Sequence, residues 1–271
     1  MNDTLIYEVD GPIAVLTLNR PDKLNAINTS MLEAINEAMD NAEDNPNIRA
    51  IVLKGAGKSF SAGFDLNDKV WDTEEDNEMR AALEDDFNTI MRFWDSPKPT
   101  VAVVQGHCVG GAMEMALACD VTIAAENAMF GEPEVSIASG IVAMLLPWLT
   151  GPKLAKELLL TGRINIPSQR IYEMGLINQV VKESELDHAG LEMAETIASN
   201  DRLCVEITKR AINRTLEIGG MREALLDALE ADVLYETADN DEAKAFYKVL
   251  KDKGLKAAKE WRKEFINKTS S

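Results

Sequence analysis

Four near-continuous apolar segments of strand length, "IAVLTLNR", "IRAIVLKG", "PTVAVVQG" and "DVTIAAE", recur along the chain with helix-length stretches between them. This rhythm constrains the fold more than any other feature. A strand, helix, strand repetition predicts parallel βαβ units, whose crossovers are right-handed in nearly all proteins. An earlier β-rich segment, "TLIYEVDG", is separated from the first of the four by Gly11-Pro12, which predicts a hairpin. After "NRPDKLNAIN" the period changes. Ser30 and Glu33 form an S-x-x-E capping pattern, and Met31, Leu32, Ile35, Met39 and Ala42 recur at helical spacing, so an amphipathic helix is expected.

Beyond residue 200 the pattern is helical throughout. "RLCVEITKRAINRTLEI", "MREALLDALEADVLYET", "DEAKAFYKVLKD" and "KAAKEWRKEFIN" are divided by Gly219-Gly220, Asp239-Asn240 and Gly254. We therefore expect an α/β core over residues 1–200 and an all-helical region over 201–271. Leu225, Leu226, Leu229, Val233 and Leu234 exceed what one small helical layer buries, which points to packing against a neighbouring subunit. With 271 residues, the chain is near the upper size of a single core.

The formal net charge of −18 repels phosphate backbones and anionic membrane surfaces, so neither nucleic acid nor a membrane is an expected partner. A small anionic molecule can still bind through helix N-termini or backbone N–H groups. Cys108, Cys119 and Cys204 are odd in number, widely spaced and set among apolar neighbours. They read as core thiols rather than as a disulfide framework or a metal site. The N-terminus has no secretion-signal pattern and no run approaches a membrane span, so a cytoplasmic protein is expected.

One charge is out of place. In "QGHCVGGAMEMALACD", Glu114 follows Gly110-Gly111 and is surrounded by Ala112, Met113, Met115, Ala116, Leu117 and Ala118. A glutamate in a helix ordinarily faces water, but these neighbours leave no polar face, so Glu114 is expected in an enclosed space. A carboxylate there must find a partner, raise its pKa or take part in chemistry. Paired glycines alone mark tight turns, but at a helix start they also expose N–H groups suited to developing negative charge. A second carboxylate, Glu134 in "GEPEVSI", lies one strand further on. Of the two acids there, Glu132 beside Gly131 reads as surface, while Glu134 precedes Val135 and Ile137 at alternating spacing. Two carboxylates around one water can divide acid and base roles. His107 reads as a structural residue at a strand end and His188 as surface. No His, Cys and carboxylate spacing suggests a metal.

Together "NRPDKLNAIN", "GAGKSFSAGFDL", "KPTVAVVQGHCVGGAMEMALACDVTIAAENAMFGEPEV" and "TGRINIPSQRIYEMGLINQVV" resemble the crotonase, or enoyl-CoA hydratase/isomerase, superfamily over nearly the whole chain. The resemblance implies a spiral of ββα turns in two roughly perpendicular sheets, completed by a helical C-terminal region that supports trimers or hexamers. It implies acyl-CoA thioesters as substrates, with coenzyme A part of the substrate and no separate cofactor. By motif position, the backbone N–H groups of Phe64 and Gly111 bind the thioester oxygen, and Glu114 and Glu134 fall on the two catalytic glutamates of enoyl-CoA hydratases. Glu114 then acts mainly on water and Glu134 mainly as proton donor, the two titrating as a coupled pair. Lys23, Leu24, Ala26, Ala62, Asp65, Leu66 and Asn67 lie near the adenine and pantetheine. Lys259, Arg262 and Lys263 are either phosphate contacts or a basic last helix complementing its own dipole.

Two departures from the family pattern stand out. Phe64 replaces the usual small residue, which narrows the acyl or pantetheine path. The glycine-rich turn after the second glutamate is replaced by "ASGIVAMLLPWLTG", where Val142, Met144, Leu145 and Trp148 line either an apolar acyl pocket or a short helix's core. The expected activity is hydration of a trans-2-enoyl-CoA to 3-hydroxyacyl-CoA. The alternatives are a double-bond isomerase, an acyl-CoA hydrolase or a decarboxylase on the same scaffold, and a non-catalytic binding protein.

Overall fold

A computed structural model describes residues 3–73 and 75–269. The chain opens with the expected hairpin, β1 (Leu5–Asp10) and β2 (Ile13–Leu18), paired antiparallel through Leu5 opposite Leu18 and Asp10 opposite Ile13. Helix α1 (Thr29–Asp44) follows, then β3 (Ala50–Gly55), α2 (Asp76–Asp95), β4 (Thr100–Val104), β5 (His107–Val109) and α3 (Gly111–Ala118). Next come β6 (Val121–Ala125), β7 (Met129–Gly131), α4 (Glu134–Ile137), α5 (Leu146–Thr150), α6 (Pro152–Thr161), β8 (Ile166–Pro167), α7 (Ser168–Glu173), β9 (Gln179–Val181) and α8 (Leu186–Ala198). Four helices finish the chain: α9 (Arg202–Ile218), α10 (Met221–Glu236), α11 (Asp241–Lys253) and α12 (Leu255–Thr269).

The strands form two sheets, one of order β1-β2-β3-β4-β6-β9 and one of order β5-β7-β8. From β2 to β9 every pair in the larger sheet is parallel. Buried residues run the whole length of β4, as expected of a strand covered on both faces. The alternation of long and short strands, β4 then β5 and β6 then β7, sends successive turns of chain to the two sheets in alternation. The two catalytic candidates follow the short strands: Glu114 on α3 after β5, and Glu134 at the start of α4 after β7. Because β5 and β7 pair in register, Val109 opposite Gly131, both candidates emerge from one edge of the smaller sheet.

Several expectations change. The cap of α1 is Asn28, whose side chain accepts from the Met31 N–H, and not Ser30 with Glu33, which lie inside the helix. Cys108 and Cys119 are buried, but Cys204 is exposed on α9. Leu225, Leu229 and Val233 of α10 are buried in the main core, and only Leu226 and Leu234 face outward. Four further exposed apolar side chains lie on α9, at Leu203, Ile207, Ile212 and Ile218. Helices α11 and α12 share a small cluster of their own with Ile137 and Ala138 next to α4.

Candidate active site

Glu114 sits in the first turn of α3 and is only 3% exposed. Its Oε2 accepts from the Ala143 N–H at 2.6 Å, so a loop 29 residues away fixes one oxygen and leaves the other free. Glu134 is 8% exposed and its Oε2 has no hydrogen-bond partner. Gly110 explains how the two approach. Its φ of 60° lies in the left-handed region, and a Cβ there would stand 2.5 Å from Glu134 Oε1. Only glycine leaves that carboxylate its place.

A third carboxylate completes the cluster, and here the sequence reading is wrong. Glu132 is not at the surface: it is fully buried, and neither of its oxygens has a hydrogen-bond partner. Glu114, Glu132 and Glu134 each present a carboxylate oxygen within 4.8 Å of the others. Burial and the neighbouring Glu134 charge push the Glu114 carboxyl well above the usual range, against the Ala143 N–H, which favours its ionised form. Burial, then Glu134 and Glu114, do the same to Glu132. Burial pushes Glu134 up to about 7, against its own N–H and Glu132. Crowding three buried carboxyls together favours their protonated forms and suits the cluster to passing a proton between its members. The same three oxygens have a spacing that a divalent cation could span.

The two backbone donors are also brought together. The Gly63 backbone rests on Val109 and Gly110, where a Cβ on Gly63 would stand 2.6 Å from the Val109 oxygen. This seats the Ala62–Phe64 turn beside the start of α3. Among the described residues, no group accepts from the Phe64 N–H or the Gly111 N–H. The Phe64 ring lies directly against Gly111, where an added Cβ would be 2.2 Å from Cε2. Trp71, in the short 3-10 turn Lys69–Asp72, meets that ring edge-on at 6.4 Å between centroids.

The residues expected near the coenzyme share one surface because two loops are stitched together. Ala62 N–H donates to the Leu24 carbonyl at 3.0 Å, Ile27 N–H to Gly63 at 2.8 Å and Asp65 N–H to Ile27 at 2.7 Å. Lys23, Ala62, Leu66 and Asn67 are exposed there, with Leu24, Ala26 and Asp65 half-buried. The Asp65 carboxylate is taken up by Arg20 at 2.9 Å and by the Asn67 N–H at 3.1 Å. Against partial burial, these contacts hold it below the ordinary range, so it anchors the loop. Asn25, which the sequence reading passed over, is the organiser: fully buried at φ 54°, it donates to the Ala56, Ser59 and Phe60 carbonyls. Arg262 does not face this surface. It donates to the Ser136 carbonyl at 2.9 Å and its guanidinium stacks on Phe246 at 3.9 Å, so it braces α4.

The segment after Glu134 is mostly core, packed around a narrow gap beside Glu114. Val142 and Leu145 are core residues, while Met144 and Leu145, with Ile141, Ala143, Leu146, Leu117 and Leu159, line a narrow cavity against Glu114 and Glu132. Trp148 only packs against the core. His107 is a half-buried strand residue and His188 is exposed, both as expected.

Comparison with known proteins gives one answer. The family model described as enoyl-CoA hydratase/isomerase matches residues 8–268. The chain is 34% identical over 262 residues to the short-chain-enoyl-CoA hydratase of Clostridium acetobutylicum, covering 94% of this chain and 98% of that protein. It is also 34% identical to the crotonyl-CoA hydratase of Syntrophomonas wolfei, over 89% and 93% of the two chains. A crystal structure of an enoyl-CoA hydratase/isomerase from Xanthobacter autotrophicus Py2 superposes with a TM-score of 0.93 at 46% identity, covering 97% of this chain and 98% of that one.

Proposed function

The chain belongs to the enoyl-CoA hydratase/isomerase family, and from that membership we propose that it is an enoyl-CoA hydratase, adding water across a trans-2-enoyl-CoA to give the 3-hydroxyacyl-CoA. The observation that carries this reading is the buried pair Glu114 and Glu134, both with raised pKa and both with an oxygen free of protein partners. Moving a double bond can be done by one carboxylate. Hydration needs water to be held and deprotonated while a proton is delivered to Cα, which suits two.

In the proposed step the thioester oxygen accepts from the Phe64 and Gly111 N–H groups. Glu114, kept ionisable by the Ala143 N–H, takes a proton from water as its oxygen bonds to Cβ. The Cα–Cβ π electrons pass into the enolate, and Glu134 gives its proton to Cα. The proton held by Glu114 then returns to the carboxylate cluster, so the net change is the addition of one water. An oxyanion donor of this kind is worth about 3 to 4 kcal/mol, and a positioned acid or base about a hundred- to ten-thousand-fold. Coenzyme A enters as part of the substrate, and no separate cofactor is needed. The acid-lined pocket disfavours an acyl group that itself bears a carboxylate, which weighs against decarboxylation.

We also propose that the protein assembles as a trimer or a pair of trimers. The exposed apolar side chains of α9 support this reading. Among the described residues, no helix is long and apolar enough to cross a membrane. The charge of −18 and the cysteine pattern support a cytoplasmic setting without nucleic-acid or membrane partners. Enoyl-CoA thioesters of several lengths, assayed for 3-hydroxyacyl product, free CoA thiol and CO₂, test the reading. The hydroxyacyl product alone should appear, and thiol or CO₂ release in its place would refute hydration.

A further inference from the structure

Glu132 is the member of the carboxylate cluster to which the proposed hydration step gives no task. Its position is fixed by the backbone around it. Just before it, at the end of β7, the Gly131 carbonyl accepts from the Gly110 N–H at 2.8 Å, and the Glu132 N–H donates to the Arg163 carbonyl at 3.2 Å. Gly131 leaves no slack there, since an added Cβ would collide with the Arg163 oxygen and with Ile164 Cα. The Glu132 side chain is 0% exposed, and neither of its oxygens receives a hydrogen bond from another residue. One of them lies within 4.8 Å of an oxygen of Glu114 and of an oxygen of Glu134. Two further buried acids, Asp86 on α2 and Asp232 on α10, do not belong to this group of oxygens.

Hydration leaves the catalytic pair in the wrong protonation state for the next turnover. Glu114 has gained a proton from water and Glu134 has given its own to Cα, so one proton must cross from the first to the second before another enoyl-CoA reacts. Water cannot ferry it between Glu114 and Glu132, because the gap that these two line among apolar side chains is too narrow to hold a water molecule. A carboxyl can carry it instead. A buried carboxyl that receives no donor keeps its own proton, and Glu134 is the acceptor beside it. Burial and the charges of Glu134 and Glu114 push Glu132 up, and the hydrogen bond to Glu134 adds to this. Burial pushes Glu134 up to about 7, and the same hydrogen bond acts in the opposite direction. The shared proton therefore belongs to Glu132, whose second oxygen is left to accept another.

We infer that Glu132 relays a proton from Glu114 to Glu134 between turnovers, through its own carboxyl group. The inference deepens the hydratase reading and rests on it for the proton to be moved. In the relay one O–H bond of Glu132 breaks as its proton passes to the Glu134 carboxylate, and a new O–H bond forms at its other oxygen with the proton leaving Glu114. Glu114 ends ionised, Glu132 and Glu134 end protonated, and the cluster keeps one negative charge throughout. Half a turn of the Glu132 carboxyl about Cγ–Cδ readies it for the next transfer. Glu132 is a positioning residue in this scheme: it places the proton, and the pair beside it acts on water and thioester.

The test separates the first turnover from later ones in the full-length protein, by stopped-flow absorbance of crotonyl-CoA. Glu132→Gln keeps the shape of the side chain but has no carboxyl proton to pass on. Its first turnover should stay within about three-fold of the unaltered protein while its steady rate falls about ten-fold or more, giving a burst of one equivalent per site. That steady phase should slow by about two-fold or more in D₂O, as a rate-limiting proton transfer does and product release does not. A merely structural role would slow first and later turnovers alike. Oligomer mass and circular dichroism check that the variant is folded, and Glu132→Leu, equally unable to pass a proton, replaces it if it is not. The unaltered protein supplies a further check, since a proton relayed internally makes its steady rate independent of imidazole concentration at fixed pH. A folded variant with an unchanged steady rate, an equal loss in first and later turnovers, a burst without a solvent isotope effect, or an unaltered protein accelerated by imidazole overturns the relay. Any of these results with crotonyl-CoA still hydrated by the unaltered protein leaves the hydratase reading in place, whereas no hydration by the unaltered protein overturns both.

Discussion

The Ala143 N–H donates to Glu114 Oε2 at 2.6 Å, and this contact distinguishes Glu114 from the other carboxylates of its cluster. Neither Glu132 nor Glu134 receives a hydrogen bond from a distant loop. The donor favours the ionised form of Glu114, but burial and the Glu134 charge outweigh it, so the roles follow from geometry: the Ala143 N–H fixes Oε2 and leaves the other oxygen to meet water, and Glu134 carries the proton. Glu114→Gln and Glu134→Gln should each lower kcat by at least about a hundred-fold while KM changes far less, because each acts on a proton in flight. Steady-state kinetics on both variants checks this. A raised KM at normal kcat would assign the residue to binding alone.

The contact between Phe64 and Gly111 makes a prediction about pairs of substitutions. Gly111→Ala keeps the N–H but drives a methyl group into the Phe64 ring. It should therefore lower turnover in the unaltered protein and do so much less in a Phe64→Ala background. The coupling in a double-mutant cycle should be about 1 to 2 kcal/mol. Equal losses in the two backgrounds would mean that the ring yields without consequence.

Stability should fall as pH rises. Glu134 is raised from its ordinary 4.5 to about 7 by burial, and Asp232 from 3.8 to about 7 by burial and by Glu236 and Glu134. For carboxyls raised on folding, the contribution to stability is full below the unfolded-state value and is lost as pH passes through the folded-state value. The window therefore runs from about pH 4.5 to 7 and above, and Glu134 alone is worth about 3 kcal/mol across it. The urea midpoint should drop between pH 5.5 and 8.5, and Asp232→Asn should flatten that drop. A midpoint that rises over this range would contradict the account of the cluster.

Much of this was legible in the sequence, and the exceptions have physical reasons. The strand-and-helix rhythm marked five of the six strands of the large sheet, all but β9, and the all-apolar neighbourhood of Glu114 revealed its burial. Glu132 was misread because glycine and proline on either side mark a turn, and turns are ordinarily wet. Its actual environment comes from pairing between β5 and β7, which no local pattern encodes. Asp86 was hidden in the acidic run "LEDDF", although Leu83 and Ile90 at i−3 and i+4 place it on the apolar face. Leu229 at i−3 places Asp232 on the buried face of α10 in the same way. The cap of α1 went to Asn28 because its side chain reaches the Met31 N–H first, leaving Ser30 and Glu33 within the helix. Asn25 gave no signal, since the carbonyls to which its amide donates are more than thirty residues away.

The exposed stripe on α9 bears on assembly. Ile212 is 60% exposed and Ile218 73%. Ile212→Glu would place a charge in the proposed interface and should shift the mass seen by light scattering toward the monomer at micromolar concentration. An unchanged oligomer would put the interface elsewhere.

Removal of divalent metal should leave hydration unaffected. The Glu114, Glu132 and Glu134 oxygens carry protons in this account, and exhaustive dialysis against EDTA should not change the rate. A loss restored by one added metal would give the cluster a different role.

The most direct test is the addition of purified protein to crotonyl-CoA while the absorbance of the conjugated thioester is followed, with the Glu114→Gln/Glu134→Gln double variant beside it. The account predicts that the unaltered protein bleaches the absorbance with equimolar formation of 3-hydroxybutanoyl-CoA and no free thiol, and that the double variant, folded and of the same mass, does not. Hydration that persists in the double variant, or release of thiol without hydroxyacyl product, would contradict it.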